Sequence, residues 1–258
     1  MDKADISLQE SEAEATRSLA KDLSPHVHLA DRALDLAAST LDSLPPQRLA
    51  TVPKSRRVAS SLMARLMNDL RCVEIVVTRG YAIQGISLGG AIYETAFTIA
   101  YIGGDEEIAQ EWIDHDNPVR PFRDARTLTK VGLANLGIPN PEGQAKTEYR
   151  VYQQMCMAKH ANPLLQMEHS IKVSNKTVEI FSGPETSEAA IRASWFALEH
   201  SAALLAIVAS YSVIKNHVPE EKRPPLVNEF HVIGTLRKRL EKRAKERWGT
   251  KDPFEGKW

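Results

Sequence analysis

GISLGGAIYETAFTIAYI, residues 85–102, carries a single charge, Glu94, in a run otherwise made of apolar, small and hydroxylated residues. A second run, SAALLAIVASYSVI at residues 201–214, carries no charge at all. How these two runs are read decides the fold. The second has fourteen residues, short of the roughly 20 that an α-helix needs to cross a bilayer. The first is interrupted by Gly85, Gly89 and Gly90 as well as by the carboxylate. Both are therefore expected as helices buried in the middle of a bundle, with no membrane span.

Around them the chain reads as helix almost throughout. Leu62, Leu66, Leu70, Val73 and Val77 recur at the spacing of one apolar helical face, with Arg65, Asp69 and Arg71 falling elsewhere, so a helix is expected over Ser60–Arg79. Gly80 marks a break. A helix then runs to Ile102 and is closed by Gly103–Gly104, after which Asp105 is placed to cap a short helix over Glu106–Ile113. Another helix is expected from about Val27 to Leu44, stopped by Pro45–Pro46. Residues 115–143 are rich in proline, asparagine and glycine and read as a surface excursion with a helical piece near Arg123–Leu136. A helix from about Thr147 to His160 follows.

The one strand signal lies at Ile171, Val173, Val178 and Ile180, which alternate around Ser174–Asn175–Lys176 as a small β-hairpin near 171–181. Thr186 or Ser187 then caps a helix reaching about Asn216, and a basic helix is expected over Asn228–Trp248. The fold class is mainly α: a helical bundle with two or three central apolar helices and one hairpin. Three parts are expected, an acidic N-terminal helix or arm at 1–24, the bundle at 25–227, and a basic C-terminal helix and tail at 228–258.

Composition narrows the function classes. Thirty-three basic residues balance thirty-three acidic ones, so the formal net charge is zero. No overall field draws the chain to nucleic acid or an anionic membrane. Cys72 and Cys156 form neither a disulfide framework nor the paired spacing of a zinc site, and the N-terminal MDKADISLQESEAEATRSLAKDL lacks the apolar core of a secretory signal. A cytoplasmic protein is expected. No His-Glu-x-x-His or Glu-x-x-His pattern is present, and no cofactor or metal is implied.

Two residues stand out as candidate chemistry. Glu94 sits among Ile92, Phe97 and Ile99, where an unpaired carboxylate costs several kcal/mol, on the order of the desolvation of a buried charge. It suits a general base or metal ligand, a structural ion pair with a neighbouring arginine such as Arg79 or Arg65, or a solvent-facing position. His160 ends an apolar helix in MCMAKHANPLL, one turn after Cys156 and ahead of Asn162–Pro163. It suits either a general base or a C-terminal residue whose imidazole faces the last carbonyls. The C-terminal TLRKRLEKRAKERW has seven basic and two acidic residues, which makes Arg237, Arg239 and Arg243 candidates for phosphate contacts. The same helix can instead dock Leu236 and Leu240 and leave its charges in solvent.

Taken in order, RGYAIQGISLGGAIYETAFTIAYIGGDEE, then YRVYQQMCMAKHANPLL, then SGPE and a long apolar helix resemble a family of helical bacterial proteins of unknown function. The resemblance spans about residues 60–215 and places Glu94, Tyr152 and His160 on its pattern, with Tyr152 as a binding residue. It implies a helical bundle and brings no reaction with it. In that family an arginine precedes the glutamate by a few residues, and here Gly89–Gly90 stand in its place. A more distant likeness is to the HEPN helical superfamily, whose ribonucleases use an arginine, four to six residues and a histidine. Arg150 lies ten residues before His160 and Arg192 eight before His200, so that spacing is missing.

These readings favour a non-catalytic regulatory protein of a bacterial defence or stress response, acting through contacts with a protein partner or a second copy. Two other classes stay open. One is a hydrolase or nuclease using Glu94 and His160, and the other is nucleic-acid binding through the basic C-terminal helix.

Overall fold

The computed structural model describes residues 7–46, 51–117, 119–160, 162, 171–173, 177–180 and 182–249. Asp2, Asp5, the expected hairpin turn 174–176, Pro163 and the tail after 249 lie outside them. Helix α1 (Leu8–Asp42) opens with a reciprocal cap: Ser7 Oγ accepts from the Glu10 N–H, and the Glu10 carboxylate accepts from the Ser7 N–H at 2.9 Å. Where a separate arm ending near residue 24 was expected, α1 runs straight through Pro25. Proline there removes one helical hydrogen bond, but the helix buries a continuous stripe on both sides of it: Ala15, Leu19, Leu23, Leu29, Ala30 and Ala33. Burial of that stripe outweighs one lost bond.

Helix α2 (Lys54–Thr78) begins six residues earlier than the apolar period indicates. Its cap comes from another helix: the Glu106 carboxylate, in the first turn of α4 (Glu106–Ile113), accepts from the N–H groups of Lys54 and Ser55 at 2.7 and 3.0 Å. Between α2 and α3 (Ala82–Ile102) the chain turns at Gly80, whose φ of +92° favours glycine. A Cβ there would stand 2.8 Å from Pro184 Cβ, and the Gly80 carbonyl accepts from the Glu185 N–H at 2.9 Å. Helix α3 is the centre of the bundle, with Ile86, Ile92, Tyr93, Ala96, Phe97, Ile99 and Ala100 essentially sealed from solvent.

Helix α5 (Ala125–Leu136) corrects the reading of 115–143 as surface. Leu128, Leu133 and Leu136 belong to the main core, and the Tyr93 and Thr129 hydroxyls of α3 and α5 meet at 2.6 Å. Helix α6 (Pro141–Lys159) starts six residues before Thr147, with Asn140 accepting from the Gly143 N–H as its cap and proline at the first helical position. Strands β1 (Ile171–Val173) and β2 (Val178–Ile180) pair antiparallel, Ile171 opposite Ile180.

Ser187 caps α7 (Glu188–Ala203), which passes through a π-helical stretch, Leu204–Ser210, into α8 (Tyr211–His217). Together Glu188–His217 make 30 helical residues, long and apolar enough by length and composition to cross a membrane. The expected shortfall in length is therefore not what separates this run from a span. Within the bundle 83% of its apolar window is buried. Helix α9 (Arg223–Trp248) also starts early, because Pro224 and Pro225 fall in the first turn, where the missing N–H groups have no helical acceptor. It lies along α1 and α7, with Arg32 bonded to Glu229 and Arg247 to both Asp22 and Glu188.

Candidate binding cleft around Glu94 and Tyr152

Glu94 lies on the flank of α3 that is not sealed by α2 and α7, and it is half-buried. From α6, the Tyr152 hydroxyl donates to Glu94 Oε1 at 2.6 Å. The carboxylate thus has a phenol as partner, with neither Arg65 nor Arg79 bonded to it: Arg65 pairs with Asp69 at 3.4 Å and Arg79 with Glu12 at 3.7 Å. At Gly89 a side chain would be tight, since an added Cβ would stand 3.2 Å from Met155 Cε. The Tyr152 ring is held between Tyr93 and Tyr149, with centroids 4.9 and 5.8 Å away.

Burial, then the hydrogen bond to Glu94, pushes the Tyr152 phenol well above its ordinary value. One turn on, Cys156 also hydrogen-bonds the phenol, and burial, with the Glu94 charge adding to it, pushes its thiol up. Glu94, Tyr152 and Cys156 therefore form a chain in which the phenol and the thiol both keep their protons at neutral pH.

Glu94 and Tyr152 form one wall of a cavity of about 410 Å³, and Cys156 sits behind them. The other walls are Arg65 of α2, Trp112 of α4, and His115, Phe122 and Arg123 from the connection between α4 and α5. Arg123 is fixed over the Phe122 ring at 4.3 Å, with its Nε donating to the Tyr101 hydroxyl at 3.3 Å and Nη2 to Glu111 at 2.5 Å. His115 Nε2 bonds the Arg120 carbonyl at 2.9 Å, and its ring meets Phe122 edge-on. Trp112, His115, Phe122 and Arg123 escape sequence reasoning because their segment reads as a surface loop. The Phe-Arg pair just ahead of the Asp124 cap of α5 is the one local hint.

His160 takes a different place. It is the exposed C-cap of α6, its N–H donating to the Cys156 carbonyl at 2.9 Å. Tyr152 is the α6 residue that reaches Glu94, and His160 lies eight residues further, roughly 12 Å along the axis at 1.5 Å per residue. It does not line the cavity. Although the sequence reading finds no nucleophile elbow, Gly85-Ile86-Ser87-Leu88-Gly89 does have the spacing of one. Such an elbow needs a sharp strand-to-helix turn. Here the five residues are ordinary helix in α3, with Gly85 packed against Val77.

On α9, Arg237 serves the interior. Its Nε lies 3.2 Å from Oε1 of Glu199, which is 6% exposed, and its Nη2 is 3.4 Å from Glu241. Arg239 and Arg243 are exposed. A second cavity, about 400 Å³ and mostly apolar, lies between α3, α5 and the π-helical stretch, with His200 and Arg237 at its edge. Among the described residues no group of three or more His, Cys, Asp and Glu side chains is placed to hold a metal ion.

Compared with known proteins, the chain matches no family model, no curated protein and no solved structure.

Proposed function

We propose that the protein is a non-catalytic regulatory component that binds a small zwitterionic or cationic molecule in the Glu94–Tyr152 cleft. The observation that carries this reading is the 2.6 Å contact from the Tyr152 phenol to Glu94 inside an open cavity that also holds Arg65 and Arg123. A carboxylate accepts at about four lone-pair positions, so the phenol orients Glu94 and leaves acceptor capacity for a ligand ammonium. Arg65 supplies a cation for the opposite end of the ligand, and Trp112 and Phe122 supply apolar walls. A few polar groups set in an apolar cleft of this size are what a small-molecule site requires.

The non-catalytic part rests on the proton states. A nucleophile needs a neighbouring base or a lowered pKa, and Cys156 is held as the thiol while His160, one turn on, is the exposed C-cap of α6 and lies outside the cavity. Contacts with a protein partner or a second copy, the route that the sequence favours, have exposed apolar side chains available on β2, Val178 at 66% and Ile180 at 84%, and at Val119 in the connection between α4 and α5, at 86%.

The test is a thermal-shift panel of free amino acids, betaine and polyamines against wild type, Glu94→Gln and His160→Ala. At least one of these compounds raises the Tm of wild type and of His160→Ala, and Glu94→Gln abolishes the shift. A panel with no stabilising compound, or a shift that survives Glu94→Gln, refutes the proposal.

A further inference from the structure

On the far side of α6 from the core lies a groove of about 550 Å³ shared with α5. Arg126 and Lys130 stand on one wall, Lys146 and Arg150 on the other, and Glu142, bonded to Lys130, is the one carboxylate among them. Each pair is four residues apart, so its members stack one helical turn apart along their helix. The chain as a whole is neutral, so this is a local concentration of positive charge. On α9 three of the seven cations between Thr235 and Trp248 are held in ion pairs, Arg237 by Glu199 and Glu241, Lys242 by Glu246, and Arg247 by Asp22 and Glu188, and Arg239 and Arg243 stay exposed on its surface as a comparison site.

Tyr149 lines the same groove, and the Arg126 guanidinium lies over its ring, 4.6 Å from the centroid. A guanidinium so placed presents its outer face as a flat platform. Paired cations along both walls and a stacking surface between them are the two elements by which proteins hold single strands, phosphates on the cations and a base on the platform.

We infer that the α5–α6 groove binds single-stranded nucleic acid, with Lys130, Lys146 and Arg150 on the backbone phosphates and a base stacked on Arg126 over Tyr149. A bilayer surface suits the site less well. The groove is concave, and among the described residues none of the exposed large apolar side chains, such as Ile75, Ile113 or Ile180, lines it.

The experiment measures binding of a fluorescently labelled single-stranded oligonucleotide by anisotropy over a series of KCl concentrations. The double variant Lys146→Ala/Arg150→Ala, at two exposed positions, weakens binding. Its plot of log affinity against log salt is shallower by about 1.4, or 0.7 for each phosphate contact removed. Arg239→Ala/Arg243→Ala on α9 binds as wild type does. Arg126→Lys keeps the charge and loses the plane, so it weakens the oligonucleotide and spares inorganic polyphosphate. The inference is overturned by a wild-type protein that does not bind the strand, by an unchanged salt slope in Lys146→Ala/Arg150→Ala, or by losses confined to the α9 variant. It is also overturned by equal losses on both probes in Arg126→Lys, or by binding to phosphatidylserine vesicles in place of the oligonucleotide.

Discussion

His26 gives the sharpest test of the packing. It lies inside α1, fully sealed from solvent, stacked on Trp195 with ring centroids 4.2 Å apart. Among the described residues neither ring nitrogen has a hydrogen-bond partner. Burial, with the Arg243 charge adding to it, drives its pKa from 6.5 down to about 3. The fold therefore holds the neutral ring, while the unfolded chain takes up a proton below about pH 6.5. The contribution of His26 to stability is present in full above that pH and is lost as the pH falls toward 3. At about 1.4 kcal/mol per pH unit, the loss from this group alone reaches about 3 kcal/mol at pH 4. Urea unfolding of wild type and of His26→Phe, each at pH 7 and pH 4, isolates the effect. The carboxylates titrate in both proteins and cancel in the comparison, and phenylalanine preserves the stack on Trp195. Wild type should lose about 3 kcal/mol more than the variant between the two conditions. Parallel losses would refute a neutral, unpartnered imidazole at this position.

Two further outcomes follow from other buried features. Arg237→Ala leaves the Glu199 carboxylate in the interior without its arginine and should cost about 2 kcal/mol in denaturant unfolding, below the roughly 3–5 kcal/mol of a fully buried pair because Arg237 is one-quarter exposed. Arg239→Ala on the same helix should change stability by less than about 0.5 kcal/mol, and equal effects of the two would contradict the assignment of Arg237 to the interior. Gly80→Ala forces a side chain into a left-handed backbone and against Pro184, at a cost of about 1–3 kcal/mol. A Tm equal to that of wild type would show that the α2–α3 turn is not held against residues 184–185.

What the sequence reveals of this fold depends on whether the determining contact is local. Helices α3 and α4 meet at Gly103–Gly104–Asp105, where cap and break are adjacent in the chain and the boundary is readable. The start of α2 is not, because its capping carboxylate is Glu106, 52 residues from Lys54 along the chain. Pro25 carries a local signal for a break that the apolar stripe of α1 overrides, and the buried side of α5 is concealed by the prolines and glycines around it. In the cleft, Glu94 is conspicuous as the one charge in an apolar run, whereas Tyr152 resembles any other half-buried aromatic until a neighbouring helix brings it to the carboxylate. Arg123, His115 and Trp112 carry no periodic signature. His160, the more conspicuous residue by sequence, ends as the C-cap of α6.

The π-helical stretch at Leu204–Ser210 is held from within by the Ser210 hydroxyl, which donates to the Leu205 carbonyl five residues back. It works as a phase insertion. An α-helix advances about 100° per residue, and a π segment absorbs one residue more than an α-helix would over the same rise. Everything after Ser210 is thereby rotated by about one residue's turn relative to α7. That rotation lets Asn216 and His217 face Gly103–Gly104, with His217 Nε2 3.1 Å from the Gly103 carbonyl, while Glu199 at the other end still faces α9. Removing a single residue from this stretch would relax it to an ordinary helix and swing one end out of register with its neighbours. This long buried helix is thus sensitive to a change in length by a single residue.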